Sequence, residues 1–553
     1  MDSVRPAGEN CVWLTAMGLA AGIIMVIGII LLIFVKGVSV FWPKEIALVH
    51  LVEGSPAGLN GATTFAGAIV DKREKLARDP VSGLYEEEYS FFIGNKQVYQ
   101  QMYYYVDVDE IASLEHPEDI MVAERTEYGN AIFYPKALTL ANGTLVPADS
   151  ERFKPLLQER LEVVEERRGA IAKIEKKAIG AINREMEAIR VEKLWLQSQY
   201  SQQADSRPEM RALDARKQQL DADYQKLEAA ASQLRAQQQE ERLTYQLVTG
   251  EERTQPLGEI VAVFEPNRMS FIEKISFFIS HAWQFVSDSP REANTEGGIF
   301  PAIFGTFAMT LLMSVIVMPF GVVAAIYLRE YAKQGPFVQM IRIAVNNLAG
   351  VPSIVYGVFG LGFFVYIVGG KIDALFYPEV VEAGKSVFGT GGILWAAFTL
   401  ALMTIPVVVV ATEEALAAVP RGMREASLAC GASKWQTIQR VVMPASASGI
   451  ITGLILAMAR GAGEVAPLML VGVIKLVPDL PIDAQAPFVH LDRKFMHMGF
   501  HIYDLALQSP NSEAAKPMVF ATAFLLIMLV VVLNLGAILI RDRLRRKYAS
   551  GTF

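Results

Sequence analysis

The chain has 553 residues, 52% of them hydrophobic and 20% charged, and a formal net charge of -7. It is too apolar for an ordinary soluble protein and too polar to lie in a membrane throughout, so a mixed architecture follows. The negative charge is spread over a large polar region and argues against nucleic-acid binding, and Cys11 and Cys430, both placed in or near the cytoplasm, imply no disulfide framework.

Residues 1–12 read as a short cytoplasmic N-terminus. Trp13 to Val35 is an uncharged apolar run, long enough to cross a bilayer at about 1.5 Å per residue. A secretory signal would have a shorter apolar core and a small-residue cleavage site. Here Lys36-Gly37-Val38 and Phe41-Trp42-Pro43 follow, so a retained anchor is expected over 13–35.

Residues 36–298 read as one extracytoplasmic region. Tyr89 to Ile93, Tyr103 to Val108, Ala131 to Tyr134, Thr244 to Val248 and Glu259 to Phe264 are aromatic or β-branched and are expected to be short strands of a small β-rich domain. A coiled-coil hairpin over about 155–240 interrupts them. Leu157, Leu161, Val164, Ile171, Ile174, Ala178, Ile182, Met186 and Ile189 recur mainly at three or four, with a gap at Arg168. Leu213, Leu220, Tyr224, Leu227, Ala231 and Leu234 repeat the pattern after a break at Ala204-Asp205-Ser206-Arg207-Pro208. Its charged faces read equally as solvated surface or as a partner site. A helix over about 271–287, apolar on much of its circumference but carrying Glu273, Lys274 and His281, is expected to lie in the membrane interface, with Trp283 at the headgroups. His281 has no second His or Cys at ligand spacing, so no metal site is expected.

Residues 299–540 hold five more candidate spans: Ile299 to Leu328, Val351 to Val368, Gly391 to Ala411, Ala445 to Val473 and Val519 to Ile540. Pro319 and Pro406 interrupt two of them, and Gly321, Gly357, Gly360 and Gly362 allow close helix packing. Arg329, Lys333 and Arg342, then Arg421, Arg424, Lys434 and Arg440, then the basic tail at 541–553 all fall on one side if the chain crosses six times. Positive-inside places both termini in the cytoplasm of a bacterial inner-membrane protein.

Between the fourth and fifth spans lies a polar loop, 413–444. Pro420 suits a first helical position, Gly431 a residue just past a helix end, and Ser433 with Gln436 a capping box, so two short helices meet at a turn and Pro444 closes the segment. In the fifth span Arg460 and Glu464 are four apart and would share a helix face. An arginine at the bilayer centre costs about 2.5–3.5 kcal/mol on insertion scales, so it should meet protein, water or a counter-ion. Either a packing ion pair or an anion path lined by Arg460 and tempered by Glu464 accounts for it.

Glu425-Ala426-Ser427, three residues, Gly431, nine residues, then Val441-x-Met443-Pro444 resembles the EAA loop of ABC importer permeases, written EAA-x3-G-x9-I-x-L-P. With Glu296-Gly297-Gly298-Ile299-Phe300-Pro301, Val351-Pro352-Ser353-Ile354-Val355-Tyr356-Gly357 and Ala459-Arg460-x3-Glu464-x-Ala466-Pro467, the chain from about residue 290 onward resembles the PstA permeases of phosphate importers. The resemblance implies an α-helical integral membrane protein with six transmembrane helices of the ABC importer permease type. A large extracytoplasmic α+β insert with its coiled-coil hairpin would be added to it. It implies that Glu425, Ala426, Ser427 and Gly431 couple to an ATPase dimer (PstB type) carrying ATP and magnesium. A second homologous permease subunit (PstC type) and an extracytoplasmic phosphate-binding protein (PstS type) are the other implied partners. Family members carry an arginine and a glutamate three apart at the cytoplasmic end of the fourth span. Glu413 matches the glutamate, and Val410 stands at the arginine position. Arg460, Glu464 and Glu413 are thus the expected substrate-path residues, and no cofactor or catalytic residue is expected in this chain. No G-x4-G-K-[ST] segment occurs, so the energy must come from another subunit. A permease for another oxyanion, or a membrane-anchored coiled-coil sensor or scaffold, would share some of these features.

Overall fold

A computed structural model describes residues 9–549 apart from 56–57, 60, 79–84, 201–206, 292–293, 295, 485–487 and 510–511. The break at Ala204, Asp205 and Ser206 lies outside the described residues, as do 1–8 and 550–553. Among the described residues, six helices are long and apolar enough to cross a membrane: Val12–Phe41, Phe300–Tyr331, Ser353–Phe376, Ile393–Ala418, Lys434–Gly463 and Ala515–Arg546. The chain divides into two units. One holds Met1–Val40, Ile299–Gly369 and Phe388–Phe553, the other Phe41–Gly298 and Gly370–Val387.

In the first unit the fourth span is the centre, because Ala397, Leu400, Met403 and Val408 are wholly buried and meet Met309, Met313 and Val317 of the second span. Small residues set the spacing against the fifth span. A Cβ on Gly449 would lie 2.4 Å from that of Ala415, and one on Gly453 2.6 Å from that of Ala411. The first span rests on the sixth, with Phe34 and Phe524 edge to face at 5.3 Å. Pro319 and Pro406, expected to interrupt their spans, sit inside continuous helices, where neighbouring helices can compensate the lost backbone bonds.

Around the elbow and the fifth span, three boundaries differ from the sequence expectation. The fourth-span helix runs to Ala418 and so contains Glu413, which leaves a shorter polar elbow than 413–444. Pro444 does not close that elbow, because one helix runs from Lys434 through a π turn at Ile438–Val442 into Met443–Gly463. Proline clashes with the carbonyl four residues back, here that of Arg440, and the wider π turn lies where that clash would fall. The fifth span ends at Gly463, ten residues before the expected Val473, because Glu464 turns extended (φ -81°, ψ 135°) and Ala466–Val471 is a separate short helix.

The second unit carries strands β1 (Ile46–Leu51), β2 (Thr64–Arg78), β3 (Tyr85–Phe92), β4 (Tyr103–Asp107), β5 (Ile111–Glu115), β6 (Met121–Arg125), β7 (Ala131–Thr139), β8 (Leu145–Pro147), β9 (Arg242–Gln246), β10 (Glu252–Pro256) and β11 (Ile260–Phe264). They form antiparallel sheets in the orders β4-β3-β2-β1-β5 and β10-β9-β7-β6-β11, with β8 on β7. The five expected strands are present as β3, β4, β7, β9 and β11. β2 escaped sequence reading because its Asp71-Lys72-Arg73-Glu74 stretch is exposed on both faces and shows no apolar alternation.

Between β8 and β9 a helix from Phe153 to Tyr200, with a π turn at Lys173–Ile179, lies antiparallel to Pro208–Glu240. Arg235 meets Glu175, Arg216 meets Glu185 at 2.6 Å, and Lys193 meets Asp214. The base of this hairpin is rooted in the sheet, where Phe153, Leu157, Leu161 and Val164 join Leu243, Leu257 and Ile260. The gap at Arg168 has a cause: its guanidinium donates to the carbonyls of Gly258 (3.2 Å) and Ile260 (3.0 Å). Farther out Ile174, Ala178, Ile182 and Met186 are only half-buried, since a two-helix seam has a partner on one side alone. The connection between the third and fourth spans also belongs to this unit. Its Pro378–Glu382 turn reaches Ser198 through Glu382, and Lys385 pairs with Glu187.

The helix Phe271–Ser287 starts at a capping box, Ser270 with Glu273. One face is covered, with Phe277 against Phe264 (4.7 Å) and Phe285 against Phe41 (5.1 Å). The other exposes Ile272, Ile279 and Trp283, the last at 70%.

Candidate functional site

The elbow between the fourth and fifth spans is built from local rules. Pro420 is the N-cap rather than the first residue of Arg421–Ala429, one position earlier than expected. Gly431 has φ +85° and no atom within 4 Å of a Cβ position, a left-handed stop that favours glycine. Ser433 and Gln436 complete the capping box (3.3 and 2.8 Å), and the hydroxyls of Ser427 and Thr437 meet at 2.9 Å across the turn. Glu425 and Ala426 point outward, with Leu428 and Trp435 exposed beside them. The outward face thus combines small residues, Glu425 and two apolar side chains with the exposed Arg421, Lys434 and Arg440.

Two arginines fasten the elbow's surroundings, and sequence reading used them only as charge counts. Arg424 donates to Glu330 (2.9 and 3.3 Å) and to the carbonyls of Val419 (2.6 Å) and Leu416 (2.7 Å). Arg342 donates to Glu413 twice (3.1 Å each), to Gln334 (2.9 Å) and to the carbonyl of Leu328 (3.3 Å). Neither pairing had a sequence signal, because the partners lie 71 and 94 residues apart.

Arg460 sits in the last turn of the fifth-span helix, where a cation is favoured by the helix dipole. Its Nε is 3.8 Å from Oε1 of Glu464, and both side chains are partly exposed. The two do not share a helical face as expected, since the helix ends between them and Glu464 reaches back from its C-cap. A Cβ on Gly357 would be 2.7 Å from Cα of Pro467. The Val351-to-Gly357 and Arg460-to-Pro467 motifs, far apart in sequence, therefore meet.

Glu413 is not part of that cluster. Gly449 opposes Ala415 and Gly453 opposes Ala411, so the fourth and fifth spans are antiparallel and Glu413 is level with Ile451. Nine residues of helix, about 14 Å at 1.5 Å per residue, separate that level from Arg460. Among the described residues no group of three His, Cys, Asp or Glu side chains could hold a metal.

Residues 317–549 match the family described as binding-protein-dependent transport system inner membrane component. The phosphate transport system permease protein PstA of Yersinia pestis is 32% identical over 253 residues, which cover 46% of this chain and 75% of that protein. The chain belongs to the PstA family of ABC transporter permeases. The probable ABC transporter permease YqgI of Bacillus subtilis is 30% identical, over 50% of this PstA-family chain and 87% of its own length. The PstA-family chain spans 63% of the length of the probable ABC transporter permease YqgH of Bacillus subtilis and 52% of that of the phosphate transport system permease protein PstA of Mycobacterium leprae. An inward-facing structure of the MetNI methionine ABC transporter aligns with 45% of this chain and 94% of its own at 19% identity, with a TM-score of 0.32.

Proposed function

We propose that this chain is the permease subunit of an ATP-driven importer of inorganic phosphate. The observation that carries the reading is a pair of features on one fold: an outward-facing EAA-like elbow, and a cation, Arg460, held at a helix end where two family motifs meet. The anion passes Arg460, whose charge Glu464 tempers so that phosphate is released rather than trapped. Glu425, Ala426, Ser427 and Gly431 form the docking elbow for a PstB-type ATPase dimer, which holds ATP and magnesium. A PstC-type permease completes the pathway, and a PstS-type protein delivers the anion. Glu413 acts on the elbow side, through its Arg342 pairing, instead of lining the path near Arg460.

Positive-inside places the elbow and both termini in the cytoplasm and the strand and hairpin unit outside, with the hairpin acting as an antiparallel coiled coil. The exposed Ile272, Ile279 and Trp283 face supports a helix resting on lipid at the outer surface. The test is to express the chain with its partners in a cell lacking phosphate uptake. The ATPase should copurify and uptake should return, whereas Arg460→Gln should assemble without restoring it. Rescue competed by molybdate or sulfate but not by phosphate would overturn the substrate assignment.

A further inference from the structure

This inference deepens the coupling role proposed above and rests on it. A lever transmits motion only if nothing between the elbow and the spans bends, and the structure has such a weak point. Val419 and Pro420 are both extended (ψ 125° and 139°), a two-residue joint between the fourth-span helix and the elbow helix. Arg424 bridges that joint: it sits beyond it and donates back to Leu416 and Val419, two carbonyls at the end of the fourth span. Helix ends leave such carbonyls short of donors, the Val419 amide meeting that of Leu416 only at 3.4 Å, and a planar five-donor guanidinium can serve several at once. The same side chain holds Glu330 in the π turn that ends the second span, with the two side chains only 19% and 12% exposed. Behind it Arg342 ties the same two span ends together, through Glu413 of the fourth and the Leu328 carbonyl of the second. On the elbow helix itself Gly422, Met423, Glu425, Ala426 and Leu428 are exposed, so Arg424 is the side chain there that grips the span ends.

We infer that Arg424 is the positioning residue that stiffens this joint and makes the elbow and the inner ends of the second and fourth spans move as one body, with the Arg342–Glu413 pair as its backstop. The role is mechanical, acting through Glu330 and the carbonyls of Leu416 and Val419. Its loss should therefore separate ATP hydrolysis from transport while leaving both sites intact.

The test uses the complete transporter in proteoliposomes and reads phosphate carried per ATP hydrolysed, together with copurification of the ATPase. Arg424→Gln should assemble, hydrolyse ATP, and carry about five- to tenfold less phosphate per ATP, within the usual range for coupling between distant sites. Arg424→Lys, which can keep Glu330 but cannot bridge two carbonyls as well, should fall between. Adding Glu330→Gln to Arg424→Gln should cost little more, since the pair acts as a unit. A normal ratio in Arg424→Gln would overturn the inference. Loss of copurification would also overturn it, by making Arg424 an ATPase contact. If the unaltered transporter carries no phosphate, the proposed function fails first, and the two failures stay distinct.

Discussion

Gly431 offers a substitution whose cost can be worked out from local geometry. No atom lies within 4 Å of a Cβ at this position, so alanine meets no neighbour and the penalty is confined to the backbone. Holding an L-residue in the left-handed region, here at φ +85°, costs about 1–2 kcal/mol. That is a factor of about 5 to 30 in the population of the turn. Asparagine tolerates this region better than alanine, and a β-branched residue tolerates it least. The capping box at Ser433 and the Ser427–Thr437 contact both hang on this turn, so strain relaxes by moving one helix against the other. Phosphate carried per ATP in proteoliposomes should therefore fall in the order glycine, asparagine, alanine, valine, while the amount of assembled complex stays level. Equal ratios for glycine and alanine, or asparagine ranking below valine, would refute the requirement for a left-handed stop.

Two other predictions concern the strand and hairpin unit. Burial by itself lowers the pKa of His281, but the Glu124 carboxylate (3.1 Å) and the Phe277 carbonyl (3.0 Å) outweigh it and leave the imidazole raised above its ordinary value. Because the folded value is the higher one, the stabilisation is complete below the ordinary histidine range and is lost as pH rises through the raised value. Thermal unfolding of the full-length protein should thus show a decline above neutral pH that His281→Gln flattens; an identical pH profile in that variant would remove the pair from the account. Trp283 should be quenched by lipids brominated near the headgroup, so Trp283→Phe should lower the shallow quenching of the chain, whose five other tryptophans supply the remainder. Shallow quenching unchanged by Trp283→Phe would place the exposed face of this helix away from lipid.

Most of the elbow could be read in advance because its signals are local. A left-handed glycine, a Ser-x-x-Gln box and a proline start each act within a few residues. The boundaries were less legible. Hydropathy runs on from Ala445 to Val473, yet the helix stops at Gly463, because apolar content measures residence in lipid and not backbone continuity. Pro444 reads as a terminator but is carried through on a π turn. Arg168 reads as a defect in the hairpin pattern and proves to be the side chain that fastens the hairpin to the β10–β11 turn and to β11.

Alone, the order of residues determined what periodicity and local capping can determine: six apolar helices, a β-rich insert split by a helical hairpin, and an elbow of ABC permease type. Tertiary structure decided which charges meet. It moved Glu413 away from Arg460 and gave it to Arg342, set Arg424 across the joint at Val419, and brought Gly357 of the third span against Pro467. The physical reason is that an ion pair or a carbonyl cap depends on distance in space, and antiparallel helices place side by side residues that the chain keeps far apart.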